Sequence, residues 1–228
     1  GKLMNLPQTD FIKLFDVFIQ SGAILAVILL YFEDLLKQKK LLINILVSFI
    51  PTALTGLLLH KIIKNVFFEN MPLMLSATII ISLLFILLEY LIKKGYLKLN
   101  KNLSKIDLTT AILIGVFQAL AIIPGVSRSG ATVGALMLFG YKRPEAALYS
   151  FFLSIPTILA AGGLDLLNSG HLITQSNNLI ILITGFISAY ISASVAIRWL
   201  IKYLQTHSLI PFAIYRILLS LILIKYLV

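Results

Sequence analysis

The chain has 228 residues, of which 59% are hydrophobic and only 12% are charged, and its formal net charge is +10. Soluble proteins carry roughly 25% charged residues, so this composition, with a mean hydropathy of +1.00, excludes a soluble enzyme, a secreted module and a disordered segment. The positive charge does not indicate nucleic-acid binding, because membrane proteins use lysine and arginine to set their orientation. The absence of cysteine excludes disulfides, thiolate metal sites and cysteine nucleophiles.

Six apolar stretches reach the length of about 20 residues that a membrane-spanning helix requires. They are bounded by charged or turn-forming residues and cover residues 15–36, 41–60, 72–92, 146–167, 178–200 and 209–228. We therefore predict an all-α polytopic membrane protein in which residues 1–228 form a single integral membrane domain.

Residues 107–140 have a different pattern, because Pro124 and Gly125 divide this apolar stretch into two short arms. Arms of about 16 and 11 residues would reach roughly 24 and 16 Å, which is less than the ~30 Å thickness of the hydrocarbon core. Neither arm can cross a bilayer alone. The sequence predicts a re-entrant helical hairpin whose polar tip, residues 125–130, lies at membrane depth.

The distribution of lysine and arginine supports the hairpin. If residues 107–140 enter and leave on the same side, most positive residues of the connections lie on one side of the membrane, as the positive-inside rule expects. These residues are Lys37, Lys39, Lys40, Lys93, Lys94, Lys98, Lys101, Lys105, Lys142, Arg143 and Lys202. The chain then reads as an inverted repeat: three spans over 15–92, followed by the hairpin and three spans over 146–228.

The tip of the predicted hairpin concentrates groups that bind phosphate. An arginine at membrane depth costs at least about 2.5–3.5 kcal/mol, so Arg128 should have an anionic partner. Its guanidinium suits bidentate phosphate contact, and the helix that follows presents free N–H groups to an anion. The remaining donors and close-approach positions are Ser127, Ser129, Thr132, Gly125 and Gly130. The alternative is a structural break, in which Arg128 pairs with a carboxylate and the serines cap a helix.

The tip and its surroundings resemble the undecaprenyl-pyrophosphate phosphatases, the bacitracin-resistance family. The family signature Pro-Gly-x-Ser-Arg-Ser-Gly-x-Thr stands here as Pro124-Gly125-Val126-Ser127-Arg128-Ser129-Gly130-Ala131-Thr132. Weaker apolar matches extend the resemblance from about residue 15 to the C-terminus. The resemblance implies a multi-pass enzyme of the bacterial inner membrane that hydrolyses undecaprenyl pyrophosphate to the monophosphate and phosphate. This reaction recycles the lipid carrier of cell-wall synthesis and confers bacitracin resistance.

The resemblance also implies roles for the residues of the tip. Arg128 would neutralise the pyrophosphate and stabilise the charge on the transferred phosphoryl group. Ser127, Ser129 and Thr132 would donate hydrogen bonds to phosphate oxygens, or one of them would be the nucleophile. Gln118 would bind substrate together with Gly125 and Gly130, or would instead make an interhelical hydrogen bond.

The sequence departs from the family pattern at its start. The family carries a first re-entrant hairpin with a Glu-x-x-x-Glu motif and a Ser/Thr-Gly-His segment, and this chain contains neither. We expect an enzyme of which this chain is a fragment that lacks the first hairpin, with a naturally truncated paralogue as the alternative; a chain that is truly truncated would not be a competent catalyst by itself. The divalent cation that the resemblance implies, magnesium or calcium, would find no ligands in this chain. The expected partners are the lipid pyrophosphate and membrane lipids, without nucleic acid; a homodimer stays open.

Two further residues are candidates for structural roles. Glu89 is expected to lie at the membrane interface near the end of a span, and Arg216 is expected to make a structural pairing within the last span. A second hypothesis for the whole protein is a transporter or flippase of an anionic lipid or solute, because inverted repeats and broken helices are also typical of transporters.

Overall fold

The computed structural model describes residues 9–62, 71–169 and 178–227. This part of the chain is helical, with no β-strand beyond one isolated bridge. Its α-helices are, in chain order, α1 (Asp10–Leu30), α2 (Phe32–Lys37), α3 (Lys39–Ile62), α4 (Met71–Lys93), α5 (Leu108–Ala119), α6 (Arg128–Leu138), α7 (Arg143–Ser169), α8 (Asn178–Thr206) and α9 (Ile210–Leu227).

Four of the helices in the described residues are long and apolar enough to cross a membrane. The segments that qualify are Lys39–Leu59, Met71–Lys93, Arg143–Gly163 and Asn178–Thr206. Shorter apolar helical segments occupy Leu14–Leu30 and Leu108–Ile122. The helical content and these spans confirm an all-α protein of the multi-pass membrane class.

The predicted stretches agree with helices α3, α4, α7, α8 and α9 to within a few residues, but the first does not. The prediction of one continuous span over 15–36 is wrong, because α1 ends at Leu30 and a separate short helix, α2, begins at Phe32. The two helices are separated at Tyr31, whose backbone angles, a φ of −125° and a ψ of 25°, are not helical. Helix α2 is polar at both ends, because its first turn is acidic and its last residue, Lys37, pairs with Glu33.

The described chain divides into two compact units, each with its own internal packing. The first consists of Gly1–Lys37 and Ser154–Leu200, and in it α1 lies against α8. A Cβ atom at Gly22 would overlap the carbonyl oxygen of Phe186, so glycine allows this close helix contact. Small residues are the usual means by which membrane helices approach each other.

The second unit, Gln38–Leu153 with Ile201–Val228, contains the predicted hairpin. In it α3 packs along α5, and α4 packs along α9. Gly115 of α5 faces α3 so closely that a Cβ atom would overlap the carbonyl oxygen of Ser48. The Ser48 hydroxyl donates to the carbonyl of Ala111 at 2.7 Å and lies 2.7 Å from the buried hydroxyl of Tyr149. These contacts hold the first arm of the hairpin on α3.

The chain segments that enter and leave the hairpin lie side by side. Lys101, before α5, and Tyr141, after α6, form the isolated parallel bridge. The N–H of Lys101 donates to the carbonyl of Gly140 at 3.0 Å, and the N–H of Lys142 donates to the carbonyl of Lys101 at 3.1 Å. Because the chain before the hairpin is hydrogen-bonded to the chain after it, the two arms form a closed structure with a separate tip.

The two arms are short helices with their own caps. Asp107 caps α5 by accepting a hydrogen bond from the N–H of Thr110 at 2.8 Å. Hydrogen bonds from the Thr110 side chain and from its N–H lower the pKa of the Asp107 carboxyl below its usual value. Helices α5 and α6 have 12 and 11 residues, which correspond to roughly 18 and 16 Å at about 1.5 Å per residue. Neither helix reaches the ~30 Å of a bilayer core.

Glu89 lies near the end of α4, as expected, and it is buried, with only 3% of its surface exposed. Arg143 forms a bidentate ion pair with the carboxylate of Glu89, in which the Nε of Arg143 donates to Oε1 at 2.8 Å and its Nη2 donates to Oε2. The same Oε1 accepts from the N–H of Leu209, the residue before α9, at 2.9 Å. One carboxylate therefore links α4, the start of α7 and the start of α9, because a buried charge must be paired to be tolerated.

Candidate functional site

The tip of the hairpin is a tight turn that requires glycine. The first arm ends in a 3-10 turn over Leu120–Ile122, and the N–H of Val126 donates to the carbonyl of Ile123 at 3.0 Å. Gly125 lies within this turn with a φ of +93°, a conformation that other residues rarely adopt. A Cβ atom at Gly125 would also overlap the carbonyl oxygen of Met74 in α4. The sequence Pro124-Gly125 thus reverses the chain while it lies directly against a neighbouring helix.

The carbonyl oxygen of Gly125 is the anchor of the tip. The Nη2 of Arg216, in α9, donates a hydrogen bond to it at 2.8 Å. The hydroxyl of Thr78, in α4, lies 3.2 Å from the same oxygen and 2.9 Å from the carbonyl of Met74. A hydrogen bond from a charged donor is worth about 1.5–3 kcal/mol, roughly twice a neutral one. Arg216 is therefore the stronger of the two ties that hold the turn.

The second arm begins directly after this turn with a capped helix terminus. Ser127 is the N-cap of α6, and its hydroxyl oxygen accepts from the N–H of Gly130 at 3.1 Å. The hydroxyls of Ser127 and Ser129 lie 3.0 Å apart. The first N–H groups of a helix have no partner within the helix, and the helix dipole makes this end positive. Two hydroxyls therefore stand at a terminus that is electrostatically suited to an anion.

Arg128 is the first residue of α6, and it is exposed together with Ser129. Within residues 9–62, 71–169 and 178–227, no carboxylate forms an ion pair with Arg128. The alternative of a purely structural break agrees with the structure only in part. Ser127 caps the helix, but no acidic residue in the described part of the chain pairs with Arg128. An exposed guanidinium beside two hydroxyls and a helix N-terminus can bind a phosphate group.

Thr132 and Gln118 are placed differently from the other candidates, because both are buried. Thr132 is 0% exposed, and its hydroxyl lies 3.0 Å from the Oε1 of Gln118 and 3.1 Å from the carbonyl of Arg128. The Nε2 of Gln118 donates to the hydroxyl of Thr52 in α3 at 3.2 Å. This chain of polar groups connects the two arms to α3. Of the two roles open to Gln118, the interhelical hydrogen bond is the one seen in these contacts.

The structure thus brings together all seven candidates, in two layers. The outer layer contains the exposed or half-buried residues Gly125, Ser127, Arg128, Ser129 and Gly130. The inner layer contains Gln118 and Thr132. Sequence reasoning did not assign Arg216 and Thr78 to the tip, although an arginine seven residues into an apolar helix was the signal that Arg216 needs a partner.

A divalent cation, which the family resemblance implies, requires several oxygen or nitrogen ligands at one place. Among the residues that the structure describes, no three histidine, aspartate or glutamate side chains lie close enough to hold a metal ion. The tip itself contributes hydroxyls and a positive charge, which suit an anion rather than a cation. The described residues therefore do not fit a metal centre.

Comparison with known proteins identifies the family. The family model described as "Bacitracin resistance protein BacA" matches residues 1–222. A relative from Persephonella marina, named undecaprenyl-diphosphatase, is 43% identical over 97% of this chain and 86% of its own length. Relatives of the same name from Aquifex aeolicus and Wolinella succinogenes are 40% and 38% identical, over 96% and 100% of this chain and 85% and 87% of their own lengths. The chain therefore belongs to the BacA family of bacitracin resistance proteins.

Proposed function

We propose that this protein hydrolyses undecaprenyl diphosphate to undecaprenyl phosphate and inorganic phosphate, and so recycles the lipid carrier of cell-wall synthesis. The observation that carries the proposal is the tip of the hairpin. There, Arg128 and Ser129 are exposed at the N-terminus of α6, within a short apolar hairpin of a membrane protein. Membership of a family whose relatives are named undecaprenyl-diphosphatase supplies the identity of the phosphate compound.

The proposed arrangement in the membrane is six spanning helices and one re-entrant hairpin in the bacterial inner membrane. The spans are α1, α3, α4, α7, α8 and α9. Two observations support the re-entrant hairpin: its arms are too short to cross, and the backbone bonds between Lys101 and Gly140 close its base. In this arrangement the tip binds the diphosphate while the polyprenyl chain stays in an apolar environment. The description of the matching family adds bacitracin resistance to this role.

The reaction transfers the terminal phosphoryl group to water, with cleavage of the P–O bond to the bridging oxygen. Arg128 binds the diphosphate and stabilises the negative charge that develops on the transferred group and the leaving lipid phosphate. Ser127 and Ser129 donate hydrogen bonds to phosphate oxygens, while Gly125 lets the turn before them lie against α4. In the described part of the chain, no carboxylate or imidazole hydrogen-bonds to either serine, which favours binding over nucleophilic attack.

Thr132 and Gln118 act in this proposal as positioning residues. Their buried hydrogen bond joins α6 to α5, and Gln118 continues the connection to Thr52. A binding site built at the end of a short helix needs such support, because displacement by about 1 Å is enough to weaken catalysis strongly.

The test is a product analysis with the full-length protein in lipid nanodiscs. Incubation with undecaprenyl diphosphate should release one phosphate per lipid and leave the lipid monophosphate, and Arg128→Ala should abolish both products. Transfer of the intact lipid diphosphate between leaflets without release of phosphate would overturn the proposal and favour the flippase hypothesis. Equal phosphate release by Arg128→Ala and the parent protein would show that Arg128 at the tip takes no part in the reaction.

A further inference from the structure

A basic platform lies at the base of the hairpin, within the second unit. It consists of residues 93–105, from the end of α4 towards α5, and residues 140–142, between α6 and α7. Lys93 ends one of the four segments that are long enough to span a membrane, and Arg143 begins another. The platform therefore lies where two spans end, which is the level at which a bilayer presents its phosphate headgroups.

Three exposed lysines from two separate segments meet on this platform. Lys101 forms the parallel bridge with Tyr141, and the N–H of Lys142 donates to the carbonyl of Lys101 at 3.1 Å. Lys98 lies beside them, because a Cβ atom at Gly140 would be 3.1 Å from its carbonyl oxygen. The orientation of a membrane protein depends on how many lysines a connection carries. It does not require lysines from before and after the hairpin to converge.

The backbone of the platform is fixed by hydrogen bonds within the protein. The N–H of Lys101 donates to the carbonyl of Gly140 at 3.0 Å, and the N–H of Leu103 donates to the carboxylate of Glu145 at 3.0 Å. The ammonium group of Lys101 lies 5.6 Å from the centre of the Tyr141 ring. A preorganised cluster loses less conformational entropy on binding a ligand than a flexible basic segment does.

The positive charge of the platform is not neutralised by nearby carboxylates. The described part of the second unit contains three carboxylate side chains, namely Glu89, Asp107 and Glu145. Each of them accepts hydrogen bonds from a group other than a lysine: from Arg143 or from a backbone N–H. No ion pair among the described residues includes any of the three platform lysines. Like charges held together repel each other, so a bound anion would stabilise this arrangement.

We propose that Lys98, Lys101 and Lys142 bind the headgroup of an anionic phospholipid of the surrounding membrane. The lysines have the complementary charge, and they lie at the level of the headgroups. A phosphate bound there bridges the segments before and after the hairpin and so stabilises its base. The site is distinct from the tip, because arms of roughly 16–18 Å separate the two. The proposal is therefore independent of the reaction proposed for the tip.

The test measures lipid binding to the full-length protein in detergent by native mass spectrometry. The probes are phosphatidylglycerol and phosphatidylcholine with the same acyl chains, which differ in headgroup charge. A lysine close to an anionic lipid surface contributes roughly a factor of five in affinity. We therefore expect the parent protein to bind phosphatidylglycerol at least about tenfold more tightly than phosphatidylcholine. This preference should decrease as salt is added, because salt screens exposed charges.

The decisive variant combines Lys98→Gln, Lys101→Gln and Lys142→Gln, and its preference for phosphatidylglycerol should fall below about threefold. The matched control replaces three exposed lysines of α2, α8 and α9 by glutamine, namely Lys37, Lys202 and Lys225. It has the same net charge as the decisive variant and should keep the preference of the parent. Phosphatidylglycerol should also raise the Tm of the parent and the control by at least about 2 °C, but not that of the decisive variant.

Folding of the decisive variant is checked by its Tm without added lipid, which should equal or exceed that of the parent because like-charge repulsion is removed. Equal affinity of the parent for the two lipids would overturn the proposal, and so would a preference that neither salt nor the decisive variant reduces. Equal losses in the decisive variant and the control would show that overall charge, rather than the platform, attracts the lipid. Weaker binding of undecaprenyl diphosphate with an unchanged lipid preference would assign the three lysines to the substrate instead.

Discussion

The hydrogen bond from Arg216 to the carbonyl of Gly125 offers a sharp test of how the tip is held. The 2.8 Å bond joins α9 to the turn that precedes Ser127 and Arg128. Arg216→Met removes the donor and keeps a long apolar side chain. Loss of a charged hydrogen bond of about 1.5–3 kcal/mol would lower the equilibrium constant between the ordered and the disordered tip by roughly 10- to 100-fold.

The effect on kinetics follows from the position of Arg216 behind the tip rather than in contact with phosphate. When only a fraction of the enzyme is competent to bind, the apparent affinity falls by that fraction, and saturating substrate restores the ordered state. We therefore expect KM for undecaprenyl diphosphate to rise by up to about 100-fold, while kcat changes by less than about threefold. Steady-state phosphate release in nanodiscs measures both constants.

Two further variants make the test specific. Thr78→Val removes the second donor near the Gly125 carbonyl, but the Thr78 hydroxyl lies closer to the carbonyl of Met74, so KM should rise by less than about tenfold. Arg216→Lys retains a charged donor and should recover part of the affinity. If Arg216→Met lowers kcat and leaves KM unchanged, Arg216 acts on the transition state itself. If neither constant changes, the bond does not hold the tip.

Three other predictions concern stability, each measured by unfolding of the purified protein in detergent. Thr132→Val loses the buried bond to Gln118 and should cost about 1–3 kcal/mol, whereas Thr132→Ser should retain most of it. Glu89→Gln breaks the buried pair with Arg143 and should cost about 3 kcal/mol or more, and replacing both residues by Met should recover stability; a loss equal to that of an exposed substitution would contradict the pairing. The hydrogen bonds from Thr110 to the ionised carboxylate lower the pKa of Asp107, so they stabilise the fold at pH above the ordinary aspartate value of about 3.9, and this contribution disappears as the pH falls through the lower folded-state pKa. Asp107→Asn should therefore flatten the acid side of the Tm profile while keeping a cap at α5.

The helices and the hairpin were predictable because their signals are local. Hydropathy identifies the long helices, and the Pro124-Gly125 pair marks the reversal between the arms. The second arm starts at Arg128, inside the predicted polar tip of residues 125–130, since Ser127 acts as its N-cap. The break at Tyr31 was not predictable from hydropathy, which remains high through Phe32 although the backbone leaves the helical conformation.

The supports of the site were not predictable, because they join residues distant in sequence. Arg216 and Gly125 are 91 positions apart, and Arg143 and Glu89 are 54 apart. A single sequence shows that a charged residue in an apolar segment needs a partner, but the partner depends on which helices pack together. The same reason explains Thr132, which the signature grouped with the exposed serines and which the turn of α6 directs into the interior.

The central claim, that Arg128 binds the diphosphate at the tip of the hairpin, is tested most directly by comparing two arginine variants. Arg128→Ala and Arg198→Ala each remove one exposed arginine from an apolar helical region, but only the first lies at the tip. We expect kcat/KM for phosphate release from undecaprenyl diphosphate to fall by at least about 100-fold in Arg128→Ala, and by less than about twofold in Arg198→Ala. Equal rates in the two variants would contradict the assignment of the tip as the site of phosphate release.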